Sequence, residues 1–398
     1  MVEGEARGER REGVRERREP LPVRQSRSTR RSSFSAVRST PLASRLSPLF
    51  LLFAACSNAA HNGTTAPPPA TCVFKNPIDD GADPWIVRSG GNYYYVESKD
   101  NGIYVYRSTA LTSPKQNPVK VWTAPASGWN ETNIWAPELH HIGTHWYIYY
   151  AGGQRHANGS DAPFTTQHAG VLESDADDPQ GSYTDRGMLY TGDDVAGGTN
   201  NVWAIDLTVH TINGQQYAVW SGWDQNNATT DKISQNLYIA RMSTPTTIST
   251  SRVKLAAPDQ SWESGPELPL EEGPEFLERN GKIFIIYSTN DSWLPSYQLG
   301  ELRMTSSTAD PLTPSTYIKV GPVFSGTTDV YGVGHASFTV SPDGTQDWIV
   351  YHSKKDPAPG WNRAIRAQKF TWASDGSPIF GAPTPTGQTV AMPSGQCN

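Results

Sequence analysis

Five segments of this chain share one short pattern, and an internal repeat of that kind restricts the fold more than any composition can. Each has a polar cluster, a strand, a tight turn and then an aromatic strand. The first two are Ala82-Asp-Pro-Trp-Ile…Gly90-Gly91…Tyr93-Tyr-Tyr-Val and Trp135-Ala-Pro-Glu-Leu…Gly143…Trp146-Tyr-Ile-Tyr-Tyr. The third and fourth are Ala204-Ile-Asp-Leu…Asn213-Gly214…Tyr217-Ala-Val-Trp and Glu272-Gly-Pro-Glu-Phe…Asn280-Gly281…Ile283-Phe-Ile-Ile-Tyr. The fifth is Gly334-His-Ala-Ser-Phe…Asp343-Gly344…Trp348-Ile-Val-Tyr. Asn-Gly and Asp-Gly tolerate the positive φ that tight hairpins demand. Turn-to-turn spacing runs from 53 residues (Gly90 to Gly143) to 70 (Gly143 to Asn213), room for four short strands each. Five such sheets around an axis make an all-β, five-bladed β-propeller, which leaves only short, protected edges. A Greek-key sandwich is the structural rival, but it gives no reason for the repeat.

Composition agrees with many short strands joined by turns. The chain of 398 residues carries 13 Trp, 17 Tyr and 11 Phe, is only 18% charged, and is rich in Gly and Pro. Charge is unevenly spread. Residues 1–45 hold twelve Arg against six Glu, a net +6, whereas the whole chain is −6, leaving −12 for the rest. An acidic body of that kind argues against nucleic-acid binding, which needs clustered Lys and Arg on phosphates.

The basic segment 1–46 has no apolar periodicity and reads as disordered. Residues 47–56, Ser47-Pro-Leu-Phe-Leu-Leu-Phe-Ala-Ala-Cys56, form an apolar run too short to span a membrane. They suit a signal-peptide h-region with small residues before a cleavage point. Phe53-Ala-Ala-Cys56 also resembles a bacterial lipoprotein processing site, which would place a lipid anchor on Cys56; ordinary cleavage nearby is the even alternative. Residues 57–71 read as a flexible linker. Either way the expectation is export, to the cell surface or the extracellular space. The folded domain then spans 72–398, and the expected form is a monomer. Cys72 and Cys397 bracket that domain, and an exported protein can oxidise such a pair.

The repeats place acidic residues together. In a propeller the innermost strand of every blade starts at the central axis, so equivalent positions converge there. Asp83 lies seven residues before Gly90 and Asp206 seven before Asn213; Glu272 lies eight before Asn280 and His335 eight before Asp343. In the second repeat the position falls on Ala136-Pro137. Three acids and a histidine at one end of a channel repel and desolvate one another, pushing at least one pKa upward. Glycosidases use such a separation, with one carboxyl protonated and another ionised. Trp85, Trp135 and Trp203 sit within three residues of these positions, and apolar ring faces beside polar groups suit a sugar pocket. Core packing between blades is the competing role for each of them.

At these residues the chain resembles glycoside hydrolase family 43. The matching stretches are Gly81-Ala-Asp-Pro-Trp-Ile86, Ile134-Trp-Ala-Pro-Glu-Leu139, Trp203-Ala-Ile-Asp206, Glu272-Gly-Pro-Glu-Phe276 and Gly334-His-Ala-Ser-Phe338. Arg366-Ala-Gln-Lys-Phe-Thr-Trp372 and Asp375-Gly-Ser-Pro-Ile-Phe-Gly381 are similar as well. The resemblance implies a five-bladed propeller and an inverting hydrolase acting on arabinose- or xylose-containing polysaccharide. It implies that Asp83 is the general base, that Glu272 is the general acid, and that Asp206 orients that acid and raises its pKa. Glu272 is chosen among Glu263, Glu267, Glu271 and Glu275 because the family pattern sets the acid directly before Gly-Pro and a strand. Substrate-binding roles fall to Trp85, Trp135 and His335. His335 matches a histidine deep in the channel that in relatives sometimes lies near a water-coordinated calcium, so a structural calcium is the one ion expected. No metal is implied for the chemistry, since Cys/His ligand clusters are absent. The run of motifs is most similar to exo-acting α-L-arabinofuranosidases that trim arabinan. A β-xylosidase or endo-arabinanase of the same fold is the alternative, and a non-catalytic carbohydrate-binding propeller is the more distant one.

Overall fold

The computed structural model describes residues 72–156 and 163–397, and segments 1–46, 47–56 and 57–71, with Cys56, lie outside the described residues. Apart from one 3-10 turn, Pro314–Thr316, the regular structure described is all strand. Four antiparallel strands per blade are arranged five times in a ring, as the repeats predict. Their innermost strands are Trp85–Ser89, Thr132–Ile142, Ala204–Ile212, Glu271–Arg279 and Tyr331–Val340 for blades 1 to 5. In blades 1 to 4 a two-residue hairpin follows, and in blade 5 the Asp343-Gly344 turn sits within a longer loop between Val340 and Asp347. Gly90-Gly91, Asn213-Gly214 and Asn280-Gly281 all have positive φ at both central residues, as two-residue hairpins of this type require.

Blade faces are apolar on both sides because each sheet is sandwiched between two others. A separate buried cluster fills each of the five interfaces. Trp85 and Val96 meet Leu139 and Trp146 between blades 1 and 2; Tyr149 meets Leu207 and Trp220 between blades 2 and 3. Val219 meets Phe276 between blades 3 and 4, Phe284 meets Ile349 between blades 4 and 5, and Tyr93 meets Trp348 between blades 5 and 1.

The ring is closed by chain from its opposite end. Asp79–Asp80 pairs with Ile365 and Ala364 as the outermost strand of blade 5, whose other strands come from Tyr331 onward. Beside it, Val73–Lys75 pairs with Thr389–Ala391. Cys72 and Cys397 are unbonded in this structure. They are nevertheless neighbours, with Cys72 Sγ 4.0 Å from the Cys397 carbonyl oxygen.

Candidate active site

One backbone device recurs at the axis. In blades 2, 3, 4 and 5 the inner strand carries one extra residue relative to its partner, between Trp135/Glu138, Ile205/Thr208, Glu272/Glu275 and Gly334/Ser337. A bulge of this kind re-aims side chains. Its first residue is left-handed each time: Ala136 (φ 42), Asp206 (φ 55), Gly273 (φ 52) and His335 (φ 47). Asp83 (φ 47) takes the same conformation just before the inner strand of blade 1. Non-glycine residues rarely adopt it, and such strain gathers at functional sites.

This corrects the register at one position. The residue equivalent to Asp83 and Asp206 in blade 4 is Gly273, and Glu272 precedes it by one. Glycine suits position 273 in two ways: it takes a φ of 52 without strain, and a Cβ there would lie 3.1 Å from the His335 ring. Its N–H donates to Asp206 Oδ2 at 2.9 Å, tying the third blade to the residue beside Glu272.

Asp83, Asp206, Glu272 and His335 line one cavity of about 520 Å³, with Trp135, Trp203, Phe164, Trp293, Trp361 and Arg363 among its other walls. That size and mixture of aromatic faces with a few polar groups suit a small sugar. Trp135 meets Phe164 edge-on at 4.9 Å, and Trp203 stacks on Trp223 at 4.3 Å. Trp85 is not there: it is buried between blades 1 and 2, donating from Nε1 to the Leu139 carbonyl at 2.8 Å and packing on His140. Its place in the chain beside Asp83 suggested the pocket; strand alternation turns it into the interblade core.

The carboxyls differ sharply in environment. Burial alone would push Asp83 up, but the charge of Arg363 and the nearby His335 and His352 outweigh it and hold the group well below the usual carboxylate range. Arg363 Nη1 donates to Asp83 Oδ1 at 3.0 Å, and His335 Nδ1 lies 3.3 Å from the same oxygen. The Asp83 N–H donates to His352 Nδ1 at 3.1 Å, so that ring is neutral; burial first, then Arg363, pushes it down to about 4. Glu272 goes the other way. Burial and, after it, the Asp83 charge push it up to about 7, against the opposing hydrogen bond from Tyr297, whose hydroxyl donates to Oε1 at 2.9 Å. Asp206 is also raised well above its ordinary value, by burial and then by Glu272. The Asp83 charge contributes to lifting Glu272, and Glu272 in turn lifts Asp206.

The other acids of the Glu263–Glu275 segment are occupied elsewhere. Glu263 and Glu271, both fully buried, accept from the Lys319 ammonium at 2.8 and 2.7 Å. Glu267 accepts from Trp293 Nε1, and Glu275 lies deeper, 3.4 Å from Thr208 Oγ1. Of these, only Glu272 lines the cavity. His335 Nδ1 is turned onto Asp83 and Asp206, and among the described residues no three His, Cys, Asp or Glu side chains are arranged to ligate a metal ion directly.

Arg363, His352, Tyr297, Trp293 and Trp361 were not found from sequence. They come from second and third strands or the loops beside them, outside the repeated motif.

The family model described as Glycosyl hydrolases family 43 matches residues 74–378. An "Extracellular exo-alpha-(1->5)-L-arabinofuranosidase" of Streptomyces avermitilis is 36% identical over 340 residues, covering 82% of this chain and 66% of the relative. The chain therefore spans about two thirds of that relative's length. "Alpha-L-arabinofuranosidase 43" of Humicola insolens is 33% identical, over 85% of this chain and 70% of its own. Among solved structures, an alpha-L-arabinofuranosidase from Lactobacillus brevis superposes with a TM-score of 0.69 at 32% identity, covering 79% of this chain and 98% of that one.

Proposed function

Because this chain belongs to glycosyl hydrolases family 43, we propose that it is an exported, inverting α-L-arabinofuranosidase acting on arabinan or other arabinose-containing plant polysaccharide. The observation that carries the reading is the opposite displacement of two carboxyls in one cavity: Asp83 held low, Glu272 raised to about 7. One ionised and one protonated carboxyl near neutral pH are what acid/base cleavage of a glycosidic bond requires.

In this mechanism Asp83 stays ionised and draws a proton from a water held above the anomeric carbon. Arg363 and His335 keep its carboxylate in place. Glu272 gives its proton to the departing oxygen. Asp206, fixed by the Gly273 N–H, locks the bulge that carries Glu272 into the cavity. Inversion needs roughly 6.5–9.5 Å between base and acid carboxyls, so that water fits between them. The arabinofuranosidase names of the relatives support the sugar, and the word "Extracellular" in one of them, with the apolar run at 47–56, supports export.

The test is hydrolysis of 4-nitrophenyl α-L-arabinofuranoside and 4-nitrophenyl β-xyloside by wild type and Glu272→Gln, with the anomer of the first product read by NMR. Arabinoside cleavage with inversion, lost in the variant, supports the reading. Preferred xyloside cleavage replaces the sugar, a retained anomer replaces the mechanism, and inactivity on both and on arabinan removes the enzymatic reading.

A further inference from the structure

At the cavity mouth stands a tryptophan with no packing role for most of its surface. Trp361 is 58% exposed, the most exposed large apolar side chain of the described residues. A lone exposed indole would be ordinary, but this one lines the cavity beside a second tryptophan, and an apolar patch on the rim of a cavity marks a place where a ligand can bind. The backbone around Trp361 is held firmly. The Gly360 N–H donates to the Trp293 carbonyl at 2.9 Å, the Lys355 N–H donates to the Asn362 carbonyl at 2.9 Å, and Lys354 Nζ donates to the Gly360 carbonyl.

Its neighbour Trp293 stands at 58° to it with ring centroids 5.5 Å apart, so the two rings form a corner. Trp293 is already engaged. Its Nε1 donates to Glu267 Oε2 at 3.1 Å, and the Lys232 ammonium lies 4.3 Å from its ring centroid. Trp361 carries the Arg363 guanidinium 5.3 Å from its ring centroid, and the exposed remainder of that ring is the surface the corner leaves open. The corner is also on the Glu272 side of the cavity, because Trp293 directly follows Ser292 and both line the cavity with Glu272. A leaving group that takes its proton from Glu272 departs past these rings.

We propose that Trp361 is the platform for the sugar on the leaving side of the scissile bond, with Trp293 as its fixed side wall, so that it sets preference for chain substrates over isolated glycosides. This rests on the arabinofuranosidase reading above. A furanose ring presents C–H bonds to the indole face, an apolar contact that needs no fixed hydroxyl pattern and so tolerates varied acceptors. Binding energy gained there, remote from the bond that breaks, lowers the barrier only for substrates that reach it.

The test compares wild type, Trp361→Ala and Trp361→Phe on linear α-1,5-arabinotriose, with arabinose as competitive inhibitor in the same assay. Losing the ring should lower kcat/KM on the trisaccharide by about tenfold, Trp361→Phe should keep most of it, and the inhibition constant of arabinose should stay within about twofold. If Trp361→Ala matches wild type on arabinotriose, the platform is overturned while the arabinosidase reading stands. If arabinose binding weakens equally, Trp361 belongs to the reacting pocket and the platform is again overturned. If wild type cleaves no arabinoside, the reading fails and the platform with it.

Discussion

The Gly273 N–H donates to the Asp206 carboxylate at 2.9 Å, and this one bond joins a left-handed residue of blade 4 to a left-handed residue of blade 3. Glu272, the proposed acid, is the residue just before Gly273. Its placement therefore depends on a position whose own side chain is absent.

Gly273→Ala tests that dependence. The added methyl meets the His335 ring at 3.1 Å; Ala136 holds a φ of 42 at the equivalent bulge of blade 2, so the ring contact is the larger obstacle. The expected cost is about 1–3 kcal/mol of stability, read by denaturant unfolding. A larger fractional fall in kcat than in KM effect should accompany it, because the displaced bulge carries Glu272. Wild-type stability and kcat would show that the bulge accommodates a side chain.

The acid limb and alkaline limb of the pH profile report different carboxyls. A general acid works only while protonated, so with Glu272 pushed up to about 7, kcat/KM falls as pH rises through about 7. Glu272→Gln should lower kcat by roughly 10²–10⁴. Tyr297→Phe removes the donor that favours the ionised form. Glu272 then climbs further, the acid stays protonated to higher pH, and the alkaline limb moves up. A limb that stays put in Tyr297→Phe assigns it to another group.

Arg363→Met acts on the base. A base works only while ionised, so activity is lost as pH falls through its pKa. Arg363 is the largest influence opposing the burial of Asp83. Without it the carboxyl rises, and the acid limb should move up by at least roughly one pH unit. An unchanged acid limb would mean that His335 and His352 suffice to hold Asp83.

Cys72 and Cys397 adjoin at the seam of the ring, 325 residues apart in sequence. Protein recovered from an oxidising compartment should give a Cys72–Cys397 cross-linked peptide on a non-reducing map. Reduction should then cost about 2–4 kcal/mol of stability. Alkylation of both thiols in unreduced protein would exclude the bond.

Much of the architecture is legible in the sequence because repeated turns impose a count. Asp83 and Asp206 sit seven residues before positive-φ hairpins, and that spacing survives intact in the folded strand. Glu272 is legible only through its Gly-Pro context, since the count itself lands on Gly273, and the bulge responsible leaves no residue signature of its own. Trp85 misleads because proximity in sequence to Asp83 says nothing about which way a strand residue points. Arg363 and His352 are invisible for a different reason. They reach Asp83 across 280 and 269 residues of intervening chain, and only closure of the ring brings them there.

That closure carries a consequence for when the protein becomes competent. Asp79–Asp80 docks onto the last blade, and Asp83 follows three residues later into a cage built by His335, His352 and Arg363 from that same blade. The earliest-made part of the domain thus waits for the latest-made part before its carboxylate has any partners. On the proposed mechanism the base gains its partners only when the last blade is in place, so a chain cut short within that blade should show no hydrolysis at all.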